Sequence, residues 1–187
     1  MRVENAHASP HLAGAVKRYH TWPTITTQTV AEHCWRVASI YVEIFGLPRG
    51  EVLYYILHHD SGELWCGDIP NLSKKYNPGM REAANEGEKV GLDKLGIEIP
   101  TLSEAEWFRF KLCDLLEGWE HSMHERHLGN RYAQTVIDHM LAEVDRRTNE
   151  DRQLMRMVDR WVDTTWKRFN PEVKADTIRC KMVGSGV

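Results

Sequence analysis

The sequence lacks any apolar run that approaches the roughly 18 residues required to cross a bilayer. Its first five residues are polar and precede no apolar segment, so no secretory signal is visible. The sequence also lacks a large excess of either charge, because 24 Lys and Arg residues nearly balance 27 Asp and Glu residues, for a net charge of −3. This balance argues against a broad electrostatic surface for a nucleic-acid polymer or an anionic membrane. We therefore expect any phosphate to be recognised locally, by a few placed cations.

Cysteine is sparse and unpatterned. The four cysteines form no CxxC pair, and a chain of this length does not need disulfides to fold. They are interpreted as buried, reduced thiols of a cytoplasmic protein (the host cytoplasm, if the chain is phage-encoded). These residues are Cys34, Cys66, Cys113 and Cys180.

Strand signals are nearly absent, and apolar residues recur instead at helical spacing. With 187 residues, 42% of them hydrophobic and 27% charged, the chain can form one globular domain with a sizeable core. The fold class predicted is all-α, a single-domain bundle of six or seven helices. The domain spans 1–187, with a core of about 15–169 and a loose tail over 170–187. The predicted helices cover residues 10–17, 29–45, 49–59, 79–95, 103–123, 130–147 and 151–169.

Two of these helices have clear start signals. Thr29 followed by Glu32 fits a capping box, and Ser103 followed by Glu106 fits a second one. Residues 18–23 are predicted to form a loop, because Pro23 disfavours a helical conformation at Trp22. Residues 63–70 are expected to be turn-rich, and residues 71–78 are expected to form a loop.

The most distinctive stretch is Leu57–Glu63, which reads LHHDSGE and ends an apolar helix. His59 and Asp60 can offer an imidazole and a carboxylate to one cavity if the helix breaks there, and Gly62 favours such a break. His33 lies near the start of an earlier helix, and Asp114 lies in the middle of a later one. If these helices face one another in the bundle, the four side chains can form a divalent-metal site.

The mixed nitrogen and oxygen donors suit Mn, Co, Zn or Fe better than Ca, with Mg a further candidate. Such an ion activates water near neutral pH. Each residue also has a simpler interpretation. His33 could be a cap or core residue, the His-Asp pair could be a chance dipeptide, and Asp114 could pair with a cation such as Arg109 or Lys111.

The order H…HD…D resembles that of the HD-domain metal-dependent phosphohydrolases. The segments that carry it are Val30–His33, His58–Glu63 and Lys111–Asp114. Gly67–Pro70 and the upstream Arg18 make the chain similar to the branch that holds bacterial 5′-deoxynucleotidases and phage dATP triphosphohydrolases. The resemblance covers about residues 15–145 and implies an HD-type helical bundle. It also implies that the metal ligands are His33, His59, Asp60 and Asp114.

The resemblance implies further roles. Glu63 matches the acidic residue that assists proton transfer or orients the attacking water, and Asp68 matches a residue that contacts the sugar hydroxyl. Arg18 matches a phosphate-binding arginine, a task that suits its planar fork. Lys75 and Lys111 are candidates for further phosphate contacts, with a plain surface role as the alternative for each.

The segment after Arg18 is expected to contact the base or sugar. The 5′-deoxynucleotidases carry a Trp directly after the arginine, whereas this chain has Tyr19, with Trp22 three residues later. This departure leaves base and sugar selectivity open. The alternative for Trp22 is a core aromatic.

Two substrate hypotheses follow from the resemblance. The favoured one is a deoxynucleoside triphosphate, dATP-like, hydrolysed to nucleoside and triphosphate; the alternative is a deoxynucleoside monophosphate. The segment Arg18–Thr21 resembles the phage enzymes slightly more. A non-catalytic nucleotide-binding HD module and a helical interaction domain are the alternatives from other classes. Relatives of this type also lead us to expect a homo-oligomer.

Overall fold

The structure is a computed structural model that describes residues 9–171 of the 187-residue chain. Within this range the protein is all-α, and the remaining backbone pairing is an isolated antiparallel bridge between Lys17 and Thr29. The predicted all-α bundle is therefore confirmed. The helical segments are α1 (Pro10–Ala13), α2 (Val30–Phe45), α3 (Gly50–His58), α4 (Glu63–Cys66), α5 (Asn71–Tyr76), α6 (Pro78–Leu95), α7 (Glu104–His127), α8 (Ala133–Thr148) and α9 (Arg152–Phe169).

Both predicted capping boxes are present. The Thr29 hydroxyl accepts from the Glu32 N–H, and the Glu32 carboxylate accepts from the Thr29 N–H, so α2 begins at a fixed point. Ser103 and Glu106 make the same pair of bonds at the start of α7. Glu106 also accepts from Arg49 Nε at 2.6 Å, which ties the start of α3 to the start of α7.

Helix α7 lies at the centre of the bundle. Its side chains Phe110, Leu112, Leu116 and Trp119 have no exposed surface. Helices α2, α8 and α9 pack against α7, and α3 packs against α2. Because α7 also carries Asp114, the packing of the core fixes where that carboxylate lies.

Two segments predicted as turn and loop instead contain the short helices α4 and α5. The sequence prediction was wrong here because pieces of four and six residues are too short to show a period. Tertiary contacts hold them, since both pack against α6. Lys74 of α5 also lies 3.0 Å from the Glu88 carboxylate of α6.

Several helix ends also differ from the prediction. Helix α7 continues to His127, one turn past its predicted end, whereas α1 stops at Ala13 and α3 stops at His58. Helix α8 begins at Ala133, three residues late. Ends of helices are the least certain part of a sequence-based assignment.

Helix α3 ends at His58, so the expected break is present, and Gly62 beside it serves close packing. Its φ is −63°, which any residue can adopt. A Cβ at this position would lie 2.1 Å from the Glu88 carbonyl oxygen of α6. A Cβ on Gly91 would likewise lie 2.3 Å from the Gly62 carbonyl oxygen. Gly91 therefore lets α6 lie directly against residues 59–62, which we call the His–Asp turn.

Among the described residues, no helix is long and apolar enough to cross a membrane. Cys34 and Cys113 are buried, Cys66 is half-buried, and all three are free thiols. The predictions for residues 1–5, for Cys180 and for the tail from residue 172 onward fall outside the described residues.

Candidate metal centre

Three separate segments bring the predicted metal ligands together. His33 comes from α2, His59 and Asp60 from the His–Asp turn, and Asp114 from α7. Ligand atoms of His33, His59 and Asp60 all lie within 4.8 Å of one another. His33 Nε2 lies 3.6 Å from Asp60 Oδ2 and 3.3 Å from Asp114 Oδ1. Three of the four predicted side chains therefore share one cluster of ligand atoms, and Asp114 borders it through His33.

The end of α3 decides which histidine of the doublet faces this point. Because the helix stops at His58, the next two residues turn toward α2 and α7. His58 points elsewhere: its ring packs at a tilt against Tyr54 with centroids 4.6 Å apart, and its Nδ1 lies 3.3 Å from Ser61 Oγ. His59 packs edge-on against Phe110 with centroids 4.8 Å apart.

Each histidine is anchored through Nδ1. His59 Nδ1 lies 2.8 Å from the Ile56 carbonyl oxygen, which can only accept, so Nδ1 carries the proton. His33 Nδ1 lies 2.6 Å from Glu117 Oε2, while His33 Nε2 is buried and has no hydrogen-bond partner. An orphaned imidazole nitrogen beside carboxylates and a second imidazole is the donor set that a divalent transition metal prefers, so the residues present fit such an ion.

The charges around the centre are strongly coupled. Burial and the nearby Arg18 oppose a charge on His33, but the carboxylates of Asp114 and Glu117 outweigh them and raise its pKa to about 9. Burial opposes ionisation of Asp114, but Lys111 and His33 hold its pKa well below the usual range. Lys111 Nζ lies 3.0 Å from Asp114 Oδ2, so the simpler partner considered for Asp114 is present in addition to His33.

Glu63 lies on α4, directly after the His–Asp turn. Its side chain is buried, and Oε2 has no hydrogen-bond partner. Burial, reinforced by Asp60 and Asp68, raises the pKa of Glu63 to about 9. The carboxyl group therefore holds a proton at neutral pH, which suits a group that transfers protons.

Arg18 reaches the centre from the N-terminal side. Its Nη1 lies 2.8 Å from Asp60 Oδ2, and Nε is buried without a partner. The backbone N–H of Arg18 donates to the Gln28 carbonyl oxygen, next to the Lys17–Thr29 bridge. A guanidinium held beside the ligands in this way can meet a phosphate.

Tyr19 adopts a left-handed backbone conformation with φ of 56°, which is uncommon for a residue with a side chain. Its N–H donates to Asp68 Oδ2 at 3.1 Å, and its ring stacks on His121 with centroids 4.9 Å apart. Backbone strain of this kind persists only where surrounding contacts hold it, and it is common at ligand sites. Asp68 thus fixes the residue that follows Arg18.

Residues 19–28 form a loop, here called the 19–28 loop, which Glu125 of α7 holds in place. The buried Glu125 carboxylate accepts from the N–H groups of Ile25, at 2.7 Å, and Thr26, at 2.8 Å. Asn130 donates to Glu125 and to the Pro23 carbonyl oxygen. The loop is therefore anchored at its middle as well as at both ends.

Two predicted substrate contacts lie apart from this cluster in the contacts described. Lys75 is exposed on α5, with Nζ 5.7 Å from the Tyr76 ring centroid. Trp22 is 37% exposed, so its alternative interpretation as a core aromatic is wrong. Lys111, by contrast, borders the centre through Asp114.

Sequence reasoning did not single out Glu117 or Gln28 as functional. Glu117 is fully buried and contacts His33, and Gln28 Nε2 donates to Glu117 Oε1 at 2.6 Å. The sequence does contain a signal for Glu117, which follows Asp114 by three residues and has Leu115, Leu116 and Trp119 as apolar neighbours. A charge on the core side of a helix requires a buried partner.

Comparison with solved structures supports this fold. The cyanophage S-2L HD phosphohydrolase DatZ, bound to dA and one catalytic Zn²⁺ ion, matches with a TM-score of 0.63 and 19% sequence identity, covering 87% of this chain and 95% of that one. The helical fold and the H…HD…D order place this chain among the HD-domain phosphohydrolases. More narrowly, residues 14–169 match the family model described as 5′-deoxynucleotidase YfbR-like, and the chain belongs to that family.

Two curated relatives are 5′-deoxynucleotidases from Vibrio species. The protein from Vibrio parahaemolyticus is 27% identical over 135 residues, which cover 66% of each chain. The protein from Vibrio vulnificus is 30% identical over 100 residues, which cover 47% of this chain and 50% of that protein. The alignments thus span at most about two thirds of these relatives.

Proposed function

We propose that this chain is a metal-dependent phosphohydrolase that cleaves deoxynucleoside monophosphates to deoxynucleoside and inorganic phosphate. The observation that carries the proposal is the cluster of His33, His59 and Asp60, with Asp114 beside His33 and the Arg18 guanidinium beside Asp60. The match to the YfbR-like family and the two 5′-deoxynucleotidase relatives support the monophosphate class.

Each residue has a defined task in this proposal. His33, His59, Asp60 and Asp114 would hold a divalent cation, which would supply Lewis-acid chemistry when bound. Arg18 binds and orients phosphate oxygens as charge develops on them. Glu63, which holds a proton at neutral pH, donates it to the leaving 5′ oxygen as the ester bond breaks and the new P–O bond forms, and the proton lost by the attacking water then returns to the Glu63 carboxylate. Tyr19, fixed by Asp68, and Trp22 at the exposed part of the 19–28 loop contact the sugar and base.

The nearby lysines favour a monophosphate over a triphosphate. A triphosphate requires several additional cations. Lys111 is engaged with Asp114, Lys74 is engaged with Glu88, and Lys75 is exposed beside Tyr76. Among the described residues, Arg18 and Lys111 each contact a candidate metal ligand, Asp60 and Asp114 respectively, which suits the charge of a single phosphate. This reverses the order in which the sequence ranks the two substrates.

A triphosphate substrate remains the second candidate, because the segment from Arg18 to Thr21 resembles the phage enzymes and the overall fold resembles DatZ. Product analysis separates the two. Purified protein is incubated with a panel of deoxynucleoside mono- and triphosphates, with Mn, Co, Zn and Mg supplied separately. We expect inorganic phosphate from the monophosphates, with the corresponding ribonucleotides as controls for sugar selectivity. Release of triphosphate from deoxynucleoside triphosphates alone would favour the second candidate.

Glu63→Gln distinguishes an enzyme from a non-catalytic nucleotide-binding module. The amide fills the same volume but cannot transfer a proton, so we expect kcat to fall by about 10²- to 10⁴-fold. Cation content and nucleotide binding should be retained. Full turnover by the Glu63→Gln protein would contradict the assigned chemistry, and binding without turnover in the unmodified protein would favour the module.

A further inference from the structure

We propose that Glu117, held in place by Gln28, is a positioning residue that orients His33 to bind the cation. This inference rests on the proposed metal site. Glu117 follows Asp114 by three residues on α7, so the same helix supplies a direct ligand and a contact to a second ligand. Its carboxylate has no exposed surface, and Oε2 lies 2.6 Å from His33 Nδ1.

This contact determines which ring nitrogen of His33 is available to bind a cation. A carboxylate can only accept a hydrogen bond, so His33 Nδ1 must carry a proton toward Glu117. Nε2, the atom 3.3 Å from Asp114 Oδ1, is then the ring nitrogen left to bind a cation once its own proton is displaced. A ring nitrogen opposite the metal that donates to a carboxylate is a common way of fixing both tautomer and ring orientation.

Gln28 holds the other carboxylate oxygen. Its Nε2 donates to Glu117 Oε1 at 2.6 Å, so both Glu117 oxygens have fixed partners. The Gln28 carbonyl oxygen accepts from the Arg18 N–H at 2.9 Å. One buried residue thus connects the segment that carries the phosphate-binding Arg18 to the carboxylate that orients His33.

A merely structural role makes a different prediction. If Glu117 served only to satisfy a buried histidine, its loss would destabilise the protein equally with and without cation. If it positions His33, its loss must weaken cation binding beyond any change in the stability of the cation-free protein.

The test is cobalt binding by the full chain without nucleotide, followed by visible absorption and by competition with a chelator. We expect Glu117→Gln to weaken binding about 10- to 100-fold, the usual effect of removing such a partner. Activity at saturating cobalt should largely recover. Glu120→Gln is the matched control, since it makes the same change one turn along α7, and it should bind cobalt as the unmodified protein does.

Gln28→Leu is the second variant, in case Glu117→Gln fails to fold. It removes the donor to Oε1, and we expect a smaller loss of cobalt affinity. Cobalt affinity of Glu117→Gln within twofold of the Glu120→Gln control would overturn the inference, as would unchanged affinity in Gln28→Leu. The outcome is independent of the proposed reaction, because a protein that binds cobalt but cleaves no deoxynucleotide refutes the function and leaves the positioning role intact.

Discussion

Gly62→Ala tests whether the metal centre depends on the close approach of α6 to the His–Asp turn. The backbone conformation of Gly62 suits alanine, so the substitution adds no strain at φ. The added Cβ would lie 2.1 Å from the Glu88 carbonyl oxygen, and a backbone atom cannot move away as a flexible side chain can. Either α6 or the His–Asp turn must therefore shift.

The expected cost follows from overpacking a close contact, about 1–3 kcal/mol. For a chain of this size each kcal/mol lowers the melting temperature by about 2–4 °C. The turn carries His59 and Asp60, so a shift there also moves two candidate ligands. We expect weaker cobalt binding along with lower stability.

Urea unfolding at equilibrium measures the first effect, and cobalt titration measures the second. Gly50→Ala is the matched control, because a Cβ at Gly50 meets nothing within 4 Å. It should stabilise the protein by about 0.4–1 kcal/mol by restricting the unfolded chain. An unfolding midpoint of Gly62→Ala at or above that of the unmodified protein would refute the packing argument.

Two further predictions concern the 19–28 loop and the phosphate. Burial opposes ionisation of Glu125, but hydrogen bonds from Thr26, Ile25 and Asn130 outweigh it and lower its pKa to about 2. Its contribution to stability, about 3 kcal/mol at most, is therefore present above its unfolded pKa of about 4.3 and lost as pH falls toward 2. In urea unfolding, the loss in free energy of unfolding caused by Glu125→Gln should shrink as the pH falls over that range. A loss that stays constant with pH would contradict this. Glu82→Gln, at an exposed position, controls for the removal of one charge. Arg18→Lys keeps the charge but loses the planar fork, so kcat/KM should fall at least about 100-fold; a fall of less than threefold would remove Arg18 from the phosphate site.

Much of the fold could be predicted from local signals. The capping boxes at Thr29 and Ser103 fix the starts of α2 and α7, because their bonds form between residues three apart in sequence. The short helices α4 and α5 could not be predicted, since they depend on packing against α6. The same holds for Gly62. A glycine is needed there because the backbone at Glu88 and Gly91, more than 20 residues away in sequence, packs directly against it.

The candidate site was predictable where the type and order of the residues form a recognisable motif. His33, the His59–Asp60 pair and Asp114 could be grouped because their order resembles a known family, and the structure brings them together. Glu117 belongs to no recognisable motif, and its role follows only from the contact that it makes from α7 with His33 on α2. The lysines differ only in their tertiary contacts, since Lys111 lies beside Asp114 whereas Lys75 is exposed beside Tyr76.

The anchoring of the 19–28 loop has a consequence for how substrate preference can change. The Arg18–Gln28 bond, the Lys17–Thr29 bridge and the Glu125 carboxylate hold the loop from within, whereas residues 20–24 are all exposed. New side chains can therefore be grafted onto this tip without displacing Arg18 or His33. If this tip contacts the base, as proposed, nucleobase preference can change or be redesigned there while the candidate metal centre stays as it is.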